Sequence, residues 1–283
     1  MIRLALSVIV TLLLMVQMGF SQSLPSLKVM TFNIRYDNPG DAEHAWEHRK
    51  ERVASILYFY NVDVFGLQEA LHHQLIYLEE QFPNYERIGV GRDDGKEKGE
   101  YSPIFFNPSI LESIDQGTLW LSKTPDKPSK DWDAALPRIA TWILLRHIST
   151  KDTLLVCNTH FDHRGETARL ESAKFLKEKL PQMAKNYPVI LMGDFNSSPE
   201  SEPYQTLVNG DTFLDAKKAS EIPSIGPERT FSGFKVTPEL TSDRIDHIFI
   251  TSGLDVLRHA TISEEQNGSY PSDHFPVFAE LSW

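Results

Sequence analysis

Asp194 and Asn196 stand directly after the apolar run Val189-Ile190-Leu191-Met192-Gly193. Residues two apart on extended chain point the same way, so a carboxylate and an amide share one face at the end of a strand buried on both sides. A buried charge costs several kcal/mol unless it is paired or bound to metal. Two explanations compete. Asp and Asn suit a polar turn, and Ser197-Ser198-Pro199 continue it as a loop. The alternative is a reaction centre, and the pattern recurs in a way that turn chemistry explains poorly. Asn33 closes an apolar run, as do Glu69 and His160; Asp246 lies within another, and Asp273 and His274 precede the last. Ligands bind outside strand ends in α/β sheets.

The residue types are chemically coherent. Carboxylates and amide oxygens without thiols suit a hard cation such as Mg²⁺ or Mn²⁺. A zinc site would want clustered His or Cys, and that spacing is absent. Hydrolysis of a phosphate ester needs charge neutralisation by metal, an activated water attacking in line, and donors for the phosphoryl oxygens. Candidates for each task are present.

The elements that must position these groups can be read from periodicity. Alternating or apolar runs predict strands over 27–34, 62–69, 87–90, 101–106, 138–147, 153–160, 189–193, 244–250, 255–263 and 277–281. Helical spacing, as in Val53, Ile56, Leu57 and Tyr60, predicts helices over 47–60, 71–81, 166–179 and 202–208. Segment 109–120 reads as strand-like and turn-like pieces, and 123–133 as a charged surface excursion. Strands and helices alternate roughly, strands predominate, and both ends contribute apolar strands, which predicts one domain.

Residues 1–21 resemble a secretory signal peptide: Arg3, the apolar stretch 4–15, and small Gly19 and Ser21 at the cleavage-determining positions. The stretch is short for a membrane span. The expectation is an exported chain of residues 22–283 in a periplasm or outside the cell, with no stable membrane insertion. Cys157, the sole cysteine, cannot form an internal disulfide. A net charge of −11 excludes holding nucleic acid by bulk electrostatics, though phosphates remain accessible to local cations.

Six ordered motifs carry a resemblance: Thr31-Phe32-Asn33-Ile34, Leu67-Gln68-Glu69, Asn158-Thr159-His160, Gly193-Asp194-Phe195-Asn196, Arg244-Ile245-Asp246-His247 and Ser272-Asp273-His274. In this order they resemble the endonuclease/exonuclease/phosphatase family, which includes pancreatic deoxyribonuclease, inositol polyphosphate 5-phosphatases, neutral sphingomyelinases and the carbon-catabolite-repression deadenylases. The resemblance implies a four-layer α/β sandwich, with two packed, mostly antiparallel sheets flanked by helices. It implies Glu69 as the main metal ligand, with Asn33 beside it and Asp273 reaching the same Mg²⁺ or Mn²⁺. It implies that Asp194 orients or deprotonates water and that Asn196 holds the phosphate or that water. His274 would bind a phosphoryl oxygen or act as acid/base, fixed by Asp246, with His160 on the other side of the phosphate. Tyr101 and Arg138 look like the family's phosphate-binding tyrosine and strand-borne arginine.

The stretch Phe161-Asp162-His163-Arg164-Gly165-Glu166 resembles exported bacterial members related to the deadenylase branch. Substrate stays open among nucleic acid, sugar or inositol phosphate, and lipid. No basic, aromatic-interleaved stripe for gripping single strands is present. The alternative reading is a non-catalytic module on the same fold that binds a phosphorylated or carbohydrate ligand.

Overall fold

Parallel strands need a crossover connection, usually a helix, and two places in this chain supply one. In a computed structural model, described for residues 26–236 and 244–283, β1 (Ser26–Asn33) pairs in parallel with β2 (Val64–Gln68) across helix α1 (Trp46–Phe59). Likewise β7 (Thr153–His160) pairs in parallel with β8 (Val189–Asp194) across α3 (Glu166–Ala184). The segment expected to be a signal peptide lies outside the described residues. Among those residues, no helix is long and apolar enough to cross a membrane.

Antiparallel strands complete both sheets. The first has the order β11 (Asp255–Thr261), β12 (Val277–Ser282), β1, β2, β4 (Ile104–Phe106), β3 (Glu86–Ile88). The second has the order β5 (Leu111–Trp120), β6 (Ile139–His147), β7, β8, β10 (Asp246–Ile250), β9 (Leu214–Asp215). Strand alternation explains the layering. On β1, Leu27 and Val29 enter the core between the sheets, whereas Met30 and Phe32 pack under α1 and α2 (His72–Gln81). On β8, Ile190 and Met192 join the inter-sheet core, whereas Val189 and Leu191 pack under α3 and α4 (Glu202–Val208). The result is the expected four-layer sandwich of two mostly antiparallel sheets flanked by helices.

Some boundaries differ from expectation, each for a physical reason. Within the 109–120 segment, Leu111–Trp120 form one strand after a turn, with a bulge between Ser113 and Asp115 that absorbs its mixed pattern. Helix α3 continues past 179 through Pro181 to Ala184, held by Leu180 and Ala184 in the core. Asp246 is not inside a strand but opens β10, so its carboxylate stands at the sheet's end.

One polar bridge crosses the apolar inter-sheet layer. Fully buried Asn158 donates both amide hydrogens to main-chain oxygens of the opposite sheet, at Leu67 and Pro103, each at 2.8 Å. Its Oδ1 accepts from Gln68 Nε2 at 2.6 Å. Gly66 makes room for it, since a Cβ there would lie 2.5 Å from Asn158 Cγ. Gly66→Ala should therefore cost about 1–3 kcal/mol by overpacking. Combined with Asn158→Ala, the losses should fall short of additive in denaturant unfolding, because both act on one contact.

His247 shows what alternation does to a neighbour of Asp246. Its side chain turns to the helix-covered face among Phe195, Tyr204 and Phe249, and its Nε2 bonds Ser197 O at 2.9 Å. Burial, seconded by Arg244, pushes its pKa down to about 3. The unfolded chain, titrating near 6.5, binds the extra proton first. Stability from this group is therefore lost as pH falls from about 6.5 towards 3. Melting temperature followed across that window should drop, and the slope should be shallower in His247→Gln.

Candidate active site

Strand register assembles the site. His160 ends β7 opposite Asp194, and Asp246 opens β10 opposite Asp194 on the other side. Asp194 thus lies in a row between them. In the other sheet Asn33 ends β1 opposite Gln68, one residue before Glu69. Strand β12 meets β1 with Val277 opposite Thr31, so Asp273 and His274, just before it, pass the end of β1. Both sheets contribute their ends to one cleft of about 580 Å³.

Asn33 ties the two rows together. Its Nδ2 donates to Glu69 Oε1 at 3.1 Å and to Asp194 Oδ2 at 3.0 Å, and lies 3.5 Å from His274 Nε2. Its Oδ1 faces the main-chain N–H of Arg35 at 3.0 Å. As placed, Asn33 orients Glu69 through its NH₂; its oxygen would meet a cation only after an amide half-turn. Glu69 and Asn196 both hold left-handed backbone, with φ of 61° and 46°. Such conformations cost of order 1–3 kcal/mol in non-glycine residues and persist where surrounding structure enforces them.

The pairing of Asp246 with His274 is present: His274 Nδ1 bonds Asp246 Oδ2 at 2.9 Å. Burial opposes a charged imidazole, but Asp246 and then Asp194 outweigh it and hold the pKa of His274 well above the usual range. His274 Nε2 is 3.9 Å from Asp194 Oδ2. Asp194 is the converse case: burial and the neighbouring Asp246 push its carboxyl up to about 7. Its Oδ1 accepts from the main-chain N–H of Asn196 at 2.9 Å. Asn196 Nδ2 also bonds Phe161 O at 3.0 Å and His160 Nε2 at 3.1 Å, so that ring nitrogen accepts. Burial and Arg138 hold His160 well below the usual histidine range, which keeps it neutral.

Arg138 reaches the cleft buried, with Nε on Asp162 Oδ2 at 3.2 Å and Nη2 on His163 Nδ1 at 2.8 Å. Its buried Nη1 has no hydrogen-bond partner among the described residues. Tyr101 is placed differently from expectation. It is not among the residues lining the cleft: its hydroxyl donates to Lys96 O at 2.9 Å and meets His72 Nδ1 at 3.1 Å, and its ring packs into the core under α2. Its bridge to Ala70 ties down the end of β2 instead. Cleft residues that the sequence reading did not single out include Arg35, Tyr36, Glu100, His163 and Phe231. Position alone could have flagged some of them, because Arg35 follows the first motif and Glu100 precedes Tyr101.

Two acidic groupings compete as a metal centre. Among the described residues, ligand atoms of Asp194, Asp246 and His274 lie within 4.8 Å of one another. In that grouping His274 Nδ1 and Asp246 Oδ2 are already bonded to each other at 2.9 Å. Glu69 and Asp273 offer oxygen donors, and a cation already stands between them. Arg35 Nη1 is 3.9 Å from Glu69 Oε2, and Arg35 Nε is 3.9 Å from Asp273 Oδ2. The all-oxygen donor set and this guanidinium stand-in both fit a hard divalent ion there.

The Asp246–His274 pair yields a direct check. Asp246→Asn and His274→Ala should each lower kcat/KM by about 10²–10⁴-fold on a phosphate ester, and the double variant should lose no more than either alone. Additive losses in that cycle would mean the two act separately.

Comparison with known proteins agrees with this geometry. The pattern of the Endonuclease/Exonuclease/phosphatase family matches residues 30–274. An endonuclease/exonuclease/phosphatase family protein from Bacteroides thetaiotaomicron is 36% identical, with a TM-score of 0.88 over 92% of this chain and 99% of that one. A mannosyl-6-phosphatase from the same organism is 38% identical, with a TM-score of 0.86 over 91% of this chain and 100% of that one. The CCR4-Not complex 3'-5'-exoribonuclease subunit Ccr4 of Mycosarcoma maydis is 24% identical over 91% of this chain, which spans 50% of that longer protein. With that match running from β1 to His274, and with the six motifs converging on one cleft, the chain belongs to the endonuclease/exonuclease/phosphatase family.

Proposed function

We propose that this chain is a divalent-metal-dependent hydrolase of phosphate esters, with phosphorylated sugars as its first substrate class. The observation that carries the reading is His274, bonded to Asp246, standing in one cleft with Asp194, Glu69 and Asp273. Glu69 and Asp273 would hold the ion, joined by Asn33 after its amide turns. A bound Mg²⁺ or Mn²⁺ would supply charge neutralisation at the phosphoryl group.

The chain's own groups divide the remaining work. Asp194, with its proton affinity near neutrality, takes the proton of the attacking water. The main-chain N–H of Asn196 orients that carboxylate. His274 donates from Nε2 to a phosphoryl oxygen as negative charge develops, and Asp246 stabilises its charged form. Arg138 Nη1 supplies a further contact to the phosphate; the amide of Asn196 and His160 would join it on giving up the hydrogen bond they make to each other. Tyr101 supports the end of β2 rather than touching substrate.

A sugar phosphate is favoured by the similarity to the mannosyl-6-phosphatase and by a cleft of small-ligand size. The −11 charge disfavours a polyanion. A nuclease is the second reading, and the similarity to the Ccr4 exoribonuclease subunit favours it. We also propose export: cleavage after Ser21 would leave residues 22–283 as one catalytic domain, which N-terminal sequencing of exported material tests.

A panel of mannose 6-phosphate, other hexose phosphates, p-nitrophenyl phosphate, bis-p-nitrophenyl phosphate and single-stranded oligoadenylate separates the readings. Turnover should be highest on a hexose phosphate, should vanish in EDTA, and should return with Mg²⁺. Glu69→Gln should lower kcat/KM at least about 100-fold while leaving the fold intact by circular dichroism. Full activity in EDTA would sink the metal assignment, and no turnover across the panel would favour the binding-module reading.

A further inference from the structure

Arg35 is the cleft residue that the hydrolytic scheme leaves without a task. It sits two positions after Asn33, in left-handed conformation with φ of 57°. Its guanidinium is gripped by Asp41, with Nε on Oδ2 and Nη2 on Oδ1, both at 2.9 Å. Asp41 is built in by its own turn, the 3-10 segment Pro39–His44, and Asn38 Nδ2 bonds its Oδ1 at 3.0 Å. The guanidinium also lies 4.5 Å over the Tyr36 ring. Held this way, it faces Glu69 and Asp273 at 3.9 Å each. That distance is too long for a hydrogen bond and short enough for strong electrostatic attraction. The two carboxylates therefore keep lone pairs for another ligand while repelling each other less than they would alone.

An arginine is charged at every accessible pH. A fixed positive charge beside a site for a divalent cation has two effects of opposite sign. It steadies the metal-free carboxylates, and it repels the incoming ion. We propose that Arg35 is the resident counter-charge of the metal site: it holds Glu69 and Asp273 in place without the ion and keeps the ion's binding weak enough to exchange. This rests on the reading of Glu69 and Asp273 as cation ligands. A role for Arg35 in merely shaping the loop predicts the reverse, because disordered ligands would bind the ion less well.

The test needs no substrate. Metal-free wild type, Arg35→Gln and Arg35→Lys are titrated with Mg²⁺, then Mn²⁺, by calorimetry, and melted with and without the ion. Arg35→Gln should bind Mg²⁺ roughly tenfold more tightly, the order expected for removing one nearby charge. Without metal it should melt lower by about 2–4 °C, and it should gain more than wild type on saturation. Arg35→Lys should keep near-wild-type affinity. Arg35→Met, which retains the aliphatic stem, should show the same sign as Arg35→Gln and stands in for it if that variant folds poorly. Unchanged or weaker Mg²⁺ binding in the charge-free variants, beside a wild type that binds, overturns the role of Arg35 alone. A wild type that takes up neither ion overturns the ligand assignment of Glu69 and Asp273, and the proposal with it.

Discussion

Parallel pairing at the centre of each sheet is the constraint on which the site depends. Two parallel strands end at the same edge, so whatever follows their last residues is brought together. In one sheet the β1/β2 pair delivers Asn33 and Glu69; in the other the β7/β8 pair delivers His160 and Asp194. Antiparallel neighbours then bring their first residues to that edge, which is why Asp246 begins β10 beside Asp194 and why Asp273 and His274 precede β12. The inter-sheet core and the Asn158 bridge set the two edges face to face.

The electrostatics follow from this crowding. Asp194 and Asp246 are both buried and adjacent, and burial together with Asp246 opposes the charge on Asp194. His274 relieves the conflict by holding a proton against Asp246. Asn33 adds donors to Glu69 and Asp194 at once, which links the end of one sheet to the end of the other. On the far side, Arg138 Nη1 and Nδ1 of the neutral His160 have no hydrogen-bond partner among the described residues. A site with carboxylates on one wall and open donors on the other suits an anionic group carried in with a cation.

Local backbone serves the same end. Arg35, Glu69 and Asn196 all adopt left-handed conformations immediately past strand ends. The surrounding hydrogen bonds, from Arg35 N–H to Asn33 and from Tyr36 N–H to Glu69, hold those turns.

Much of this was legible in the chain itself. Apolar runs ending in acids, amides and imidazoles marked the strand ends, because strands buried on both faces tolerate such groups only at their termini. The order of six motifs marked the family, and with it the four-layer fold. That Asp246 needs a partner follows from its place in an apolar run; that the partner is His274 came from the family resemblance. Three things were decided only by tertiary structure. Tyr101 shares strand-end position with the true cleft residues, yet Lys96 and His72 capture its hydroxyl, a matter of how one loop folds back. Asn33 turns its amide NH₂ rather than its oxygen to Glu69, which depends on the N–H of Arg35 competing for that oxygen. Arg35 looked like one more surface charge among carboxylates. Its meeting with Asp41, Glu69 and Asp273 joins three separate segments of chain at the end of one sheet, and sequence spacing carries no record of a contact made between distant strands.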